Sequence, residues 1–189
     1  MRKLHLIIER GQRGAALFSD CRSFRYALWR LPDDGRGTCL FVMLNPSTAD
    51  ASQDDPTIRR CIAYAKRWRY GEPVIANAFA WRSTDPSVLR ELGDTAIGVY
   101  NDQVIALLGK LSAIAVCGWG AHGAIGDRGV GVLRALERHQ VRPHALSLTA
   151  KGHPGHPLYL RGDLEPFPIE AADPAAGAKV AAIRTSPPG

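Results

Sequence analysis

Four short stretches of this chain carry side chains suited to chemistry. Asn45-Pro46-Ser47-Thr48 follows one apolar run, and Asn77 interrupts a second. Gly118-Trp119-Gly120-Ala121-His122-Gly123 follows a third run, and Gly152-His153-Pro154-Gly155-His156-Pro157-Leu158-Tyr159 follows a fourth. An asparagine amide both donates and accepts hydrogen bonds, so it can hold a water or read the edge of a flat polar ring. A neutral imidazole presents one donor and one acceptor near pH 7. Each stretch taken alone also has a plainer reading. Asn-Pro marks a turn, a buried asparagine serves as a structural hydrogen bonder, a Gly-rich turn permits close packing, and a Gly-flanked His-Pro is a loop. Cys21, Cys39, Cys61 and Cys117 are widely spaced with no C-x-x-C pair, so no metal centre is expected.

The elements that must position these residues follow from the apolar pattern. Phe24 to Leu31 mixes apolar and basic residues with β-formers and ends in the turn signal Pro32 to Gly37. Cys39 to Leu44 is a short continuous apolar run, as in a strand buried on both faces. The two segments together read as a hairpin leading into a central strand. Asp55-Pro56 supplies an N-cap and a first-turn proline for a helix over 56–68, with Ile58, Cys61, Ile62 and Ala65 on one side. Further strands are expected at 74–79, 111–117 and 144–148. A helix start is expected at Asp85-Pro86, and helices over 100–110 and 131–140. This alternation predicts an α/β fold, a three-layer α/β/α sandwich with a central, mostly parallel four-stranded sheet plus an N-terminal hairpin. Ligands of such sheets bind beyond the carboxyl ends of the strands, where the four stretches lie. Residues 1–169 read as one domain and the Ala/Pro/Gly-rich residues 170–189 as a flexible tail.

Composition agrees with one folded domain: 189 residues, 46% apolar and 22% charged, which argues against wholesale disorder. No apolar run approaches the roughly 20 residues needed to span a bilayer, so no membrane association is expected. Met1 to Arg10 holds only a short apolar patch without a small-residue cleavage site, which makes the cytoplasm the expected compartment. Basic residues outnumber acidic ones by 24 to 18, and 19 of the 24 are arginine. Such a surface suits phosphate partners and equally serves solubility. Nucleic acid is therefore the first partner to test.

Taken together and in order, the four stretches resemble the uracil-DNA glycosylase superfamily. Leu44-Asn45-Pro46-Ser47 is similar to the Asn form of its Gly-x-Asp/Asn-Pro loop, with Val42 or Met43 in place of the leading glycine. Val74-Ile75-Ala76-Asn77-Ala78 is similar to the strand that ends in a base-recognising asparagine, and Ala115 to Ala121 echoes a strand ending Trp-Gly. His153-Pro154-Gly155-His156-Pro157-Leu158 matches the His-Pro-Ser-Pro-Leu loop with one inserted residue. The likeness spans Leu40 to Tyr159.

The resemblance implies a monofunctional DNA glycosylase that hydrolyses the N-glycosidic bond of uracil or a related deaminated or 5-modified base. It needs no cofactor and acts as a monomer on single- or double-stranded DNA. It casts Asn45 and His153 as catalytic, with His156 the alternative because the insertion blurs the alignment. Asn77, Ser47 and Phe79 would bind the base, and Trp81 or Trp119 would be other candidates for stacking. His156, Leu158, Tyr159, Arg161, Arg59 and Arg60 would contact DNA. Asp50, Asp54 or Asp55 would supply a carboxylate where Asn45 has none. Lys151 is the one lysine near the motifs, so a Schiff-base mechanism is the lesser option. Ser47 stands where the most uracil-selective members carry a methyl-blocking tyrosine, and Pro56-Thr57-Ile58 lacks the stacking aromatic, which leaves the base preference open. A non-catalytic nucleic-acid-binding domain and a nucleoside-processing enzyme are the alternatives.

Overall fold

Side chains of β4 (Thr38–Met43) alternate between two apolar clusters. Cys39, Phe41 and Met43 enter one, and Leu40 and Val42 enter the other. A strand buried on both sides must have helices on both faces, and the computed structural model, which describes residues 5–171 and 180–182, places them there. Helix α1 (Pro56–Arg67) covers the first face with Ile58, Cys61, Tyr64 and Ala65. Its start is as the sequence predicts: Asp55 Oδ1 accepts from the Ile58 N–H at 2.9 Å, and Pro56 fills the first turn. The short α2 (Val88–Leu92), with α3 (Asn101–Leu111) and α4 (Arg128–Arg138), closes the opposite face through Leu89, Ile105, Leu108, Val132, Leu133 and Leu136.

Among the described residues nine strands form one mixed sheet. The others are β1 (Leu6–Gly11), β2 (Gly14–Ser19), β3 (Arg25–Arg30), β5 (Glu72–Asn77), β6 (Ile114–Cys117), β7 (Pro143–Ala145), β8 (Phe167–Ala171) and β9 (Val180–Ala182). Their spatial order is β1-β2-β3-β5-β4-β6-β7-β8-β9. Only the pairings β4–β5, β4–β6 and β6–β7 are parallel; the flanks are antiparallel. The class is α/β, as expected, but the sheet is larger than four strands and mostly antiparallel in its pairings. The expected hairpin between 24–31 and 39–44 is absent. β3 pairs instead with β2 and with β5 (Leu28 opposite Ile75), while β4 sits between β5 and β6. Residues beyond 169 also join the sheet, since β8 runs to Ala171 and pairs with β9; the remaining residues of the expected tail lie outside the described ones. Cys39, Cys61 and Cys117 are buried core residues and Cys21 is exposed. Among the described residues no helix is long and apolar enough to cross a membrane.

Two buried arginines of β3 tie down the connection from β4 to α1. Arg30 donates through Nε to Asp54 at 2.5 Å and through Nη2 to the carbonyls of Asp50 (2.8 Å) and Gln53 (2.9 Å). Asp54 also meets Arg13 at 2.8 Å. Arg25 donates through Nη1 to the Ala49 carbonyl. Removing one member of a buried ion pair leaves the other desolvated and uncompensated, at a cost of about 3–5 kcal/mol. Asp54→Ala is therefore expected to lower unfolding free energy by that order in urea denaturation. A loss under 1 kcal/mol would show that the pair is not what holds the loop.

Candidate functional site

The carboxyl ends of β4, β5, β6 and β7 converge on one region, and backbone bonds lock it together. Ala78 N–H donates to the Met43 carbonyl at 2.8 Å, Phe79 N–H to Leu44 at 2.9 Å, and Gly118 N–H to Val42 at 2.9 Å. From the helical side, Asn101 Nδ2 donates to the carbonyls of Asn77 (2.8 Å) and Ala78 (3.0 Å). Arg128 Nε reaches the same Ala78 carbonyl at 2.6 Å while its Nη2 pairs with Asp102. Backbone carbonyls left by the end of a strand need partners when buried, and the Asn101 and Arg128 side chains supply them here.

Above these ends lies a cleft of about 760 Å³. Asn45, Ser47, Trp119, His156, Leu158 and Tyr159 line it, with hydroxyls from Thr57, Ser83, Thr84, Ser147 and Thr149. Among the described residues its lining contains no carboxylate. Adjoining it is a small hollow of about 40 Å³ that shares Asn45, Ser47, Thr57 and His156 with the cleft and adds Arg25, Asp55 and Asn77. The residues expected from separate stretches of sequence thus meet: Asn45, Ser47, Asn77, His156, Leu158 and Tyr159 share one pair of connected walls.

Asn45 is fixed by its amide. Nδ2 donates to the carbonyls of Ser83 (2.7 Å) and Pro46 (3.1 Å), which leaves Oδ1 as its free acceptor. His156 is fixed by its ring. Nδ1 accepts from the Leu158 N–H at 3.3 Å and caps the short turn 157–159, so in the neutral ring the proton sits on Nε2. Burial holds its pKa below the usual 6.5, although the Asp55 carboxylate pulls the other way. Asp55 combines two roles, capping α1 and lining the hollow. Of the other carboxylates considered, Asp54 is held by Arg30 and Arg13, and Asp50 accepts from the N–H groups of Ser52 and Gln53 at 2.8 Å each.

Several expected residues lie elsewhere. His153 lines neither hollow. Its backbone closes a tight turn, with Thr149 N–H donating to the His153 carbonyl (2.8 Å) and His153 N–H to Thr149 Oγ1 (3.1 Å). Phe79 is 2% exposed and packs in the core. Trp81 is turned against Phe24, ring to ring at 5.2 Å. Arg60 donates to the Leu160 carbonyl at 2.5 Å and anchors the His156 loop to α1. Exposed Arg59 bonds the Asp54 carbonyl at 2.7 Å, and Arg161 pairs with Asp163. Lys151 is exposed and outside both walls. The positive charge is not gathered at this end alone, since Arg36, Lys66 and Arg69 line a separate hollow with Asp33 and Asp34.

Trp119, one of the stacking candidates, lies on the cleft wall, whereas Arg25 is the site residue that no motif in the sequence marked. Trp119 is 1% exposed yet forms part of the cleft wall. Its indole is wedged against Gly123 and Gly129, and a methyl group added at Gly129 would lie 2.7 Å from Nε1. Arg25 sits in a strand of apolar residues, and a charge flanked by Phe24 and Tyr26 is the one signal that marks it.

The site therefore belongs to a protein class with a polar, aromatic-walled cleft at the carboxyl ends of parallel strands in an α/β sheet. Residues 25–158 match the family model described as "Protein of unknown function (DUF1643)", and the chain belongs to that family. No curated protein and no solved structure matches the chain.

Burial lowers the pKa of His156, and likewise of His144 and His153. A depressed folded-state pKa contributes stability above the ordinary value of 6.5 that is lost as pH falls through the folded value. The melting temperature is thus expected to be flat above pH 7 and to drop below pH 6.5. His156→Asn, which keeps an acceptor for the Leu158 N–H, should remove part of that drop. A His156 ring that titrates at or above 6.5 by NMR would contradict the buried neutral imidazole.

Proposed function

We propose that this protein is a monofunctional DNA glycosylase that removes uracil or a related deaminated or 5-modified base, working as a cytoplasmic monomer in base excision repair. The observation that carries the reading is the meeting of Asn45, Asn77 and His156 around one pair of hollows. It occurs at the ends of the parallel centre β5-β4-β6-β7, the part of the sheet that corresponds to the expected four-stranded sandwich. A base must leave the duplex to be cut from its sugar, and the cleft is roomy enough for a flipped nucleotide.

In this reading Asn77 meets the base edge and Trp119 lines the cavity beside the ring. His156, not His153, donates through Nε2–H to the base as it departs. The C1′–N bond breaks with its electron pair leaving on the base, and the donor stabilises that charge in a site shielded from water. Asn45 Oδ1 orients the attacking water, whose oxygen bonds to C1′. Among the described residues Asp55 is the one carboxylate lining either hollow, and the oxygen not used in capping α1 takes the water's proton. Tyr159, 81% exposed at the mouth beside Leu158, is the wedge that fills the vacated stack. A binding-only role is the second reading, favoured by the engagement of both Asn45 donors and by the lack of a carboxylate in the larger cleft.

The test is incubation with uracil-containing single- and double-stranded oligonucleotides followed by alkaline cleavage of abasic sites. Asn77→Ala and His156→Ala should each lower the rate by roughly 100- to 1,000-fold, the usual cost of one charge-stabilising donor. His153→Ala should stay within a few-fold of the parent. No cleavage at uracil, hydroxymethyluracil, xanthine or hypoxanthine would reject the enzyme, and DNA binding without cleavage would favour the second reading.

A further inference from the structure

Arg25 lies outside every motif read from the sequence, yet it lines the small hollow beside Asn77. Each of the two is 1% exposed, and each leaves one donor without a partner: Arg25 Nε and Asn77 Nδ2. The Nη1 bond to the Ala49 carbonyl holds the guanidinium in place and leaves Nε unused. A buried donor without an acceptor is costly, and both residues that carry one line this hollow. Its 40 Å³ is room for roughly three water-sized groups, enough for the polar edge of a ring whose body stays in the adjoining cleft.

The two donors are not equivalent. An asparagine amide turned by 180° exchanges donor and acceptor, so alone it can meet either a carbonyl edge or an amino edge. A guanidinium has donors only and cannot be turned into an acceptor. Arg25 thus receives an oxygen and opposes an amino group at its own position whichever way Asn77 faces, and its positive charge favours an oxygen on which negative charge builds. Asp55 is the one carboxylate on this wall among the described residues; its Oδ1 caps α1, and its other oxygen is the one the proposed reaction assigns to the attacking water.

We propose that Arg25 is the specificity-determining residue of the site, restricting the group bound in the deep hollow to carbonyl oxygens of an imide-type ring and rejecting amino-bearing rings. The proposal rests on the glycosylase reading for the identity of the ring, and its test is chosen to be independent of catalysis. Binding of free uracil and free cytosine to the intact protein is measured by NMR titration. Wild type should prefer uracil by on the order of 10- to 100-fold, the consequence of one buried donor facing another. Arg25→Lys, which keeps the charge and a donor, should retain most of that ratio, and Arg25→Gln, which can accept, should bring it near unity. Asn77→Asp gives Arg25 a carboxylate partner and serves if Arg25→Gln fails to fold. It should hold or raise the melting temperature while uracil binding falls about 100-fold.

Equal binding of the two bases by wild type, binding of neither, an unchanged ratio in Arg25→Gln, or unchanged uracil binding in Asn77→Asp would each overturn the proposal. Selective uracil binding without abasic product would reject the glycosylase reading and keep the role of Arg25. Abasic product with equal binding would do the reverse.

Discussion

Everything at the candidate site depends on the two guanidinium groups that β3 buries beneath the β4–α1 connection. That connection must leave the sheet, expose Asn45 and Ser47 to the cleft, and deliver Asp55 to the start of α1. It contains no helix or strand to hold it. Arg30 binds Asp54 and two backbone carbonyls, and Arg25 binds a third at Ala49. Loops seldom penetrate a domain because their backbone polar groups lack partners. Here long side chains from a neighbouring strand provide them and anchor the loop to β3.

The same device recurs at the end of β5. Asn101 and Arg128 donate to the carbonyls of Asn77 and Ala78, so the strand that bears Asn77 is capped from α3 and α4. Asn45 in turn bridges to the Ser83 carbonyl, and Ser83 N–H returns to the Pro46 carbonyl at 2.9 Å. Arg60 closes the ring by holding the Leu160 carbonyl behind His156. Several of the arginines that composition suggested for phosphate, among them Arg25, Arg30, Arg60 and Arg128, are spent on backbone oxygens. The charge surplus therefore says less about a partner than the polar atoms left unpaired in the hollow do.

Local signals in the sequence revealed what is local in the structure. The Asp55-Pro56 cap marks α1, and the apolar runs mark β4, β5 and β6, because a strand buried on both faces needs no alternation. The β1–β2 ribbon was hidden because β1 is half exposed and its residues show no clean period of two. The partner of β3 was hidden for a different reason. Its pairing with β5 joins Leu28 to Ile75 across a long stretch of chain, and no turn between 31 and 39 encodes that choice. Of the site, the asparagines and the His-Pro loop were legible as polar interruptions of apolar runs. Which histidine faces the cleft was not, since it depends on a turn in which Gly152 takes φ +79° and the backbone of His153 bonds to Thr149.

That turn also explains why His156 is the better placed of the two. Gly155 N–H donates to the Ser147 carbonyl at 2.8 Å and Leu148 bridges Pro154, so the segment up to Gly155 is laid along the chain leaving β7. The loop first comes free at His156, where Nδ1 is consumed by the Leu158 N–H and only Nε2 remains to face a ligand. A histidine so held has one tautomer and one orientation. On the same hollow Asn45 keeps an acceptor free, while Arg25 Nε and Asn77 Nδ2 are donors left unpaired. The polarity of the hollow is thus set by the hydrogen bonds the fold has already used. A ligand entering it meets donors at the floor and at His156, and an acceptor at Asn45, in an arrangement that a freely rotating set of the same side chains would not impose.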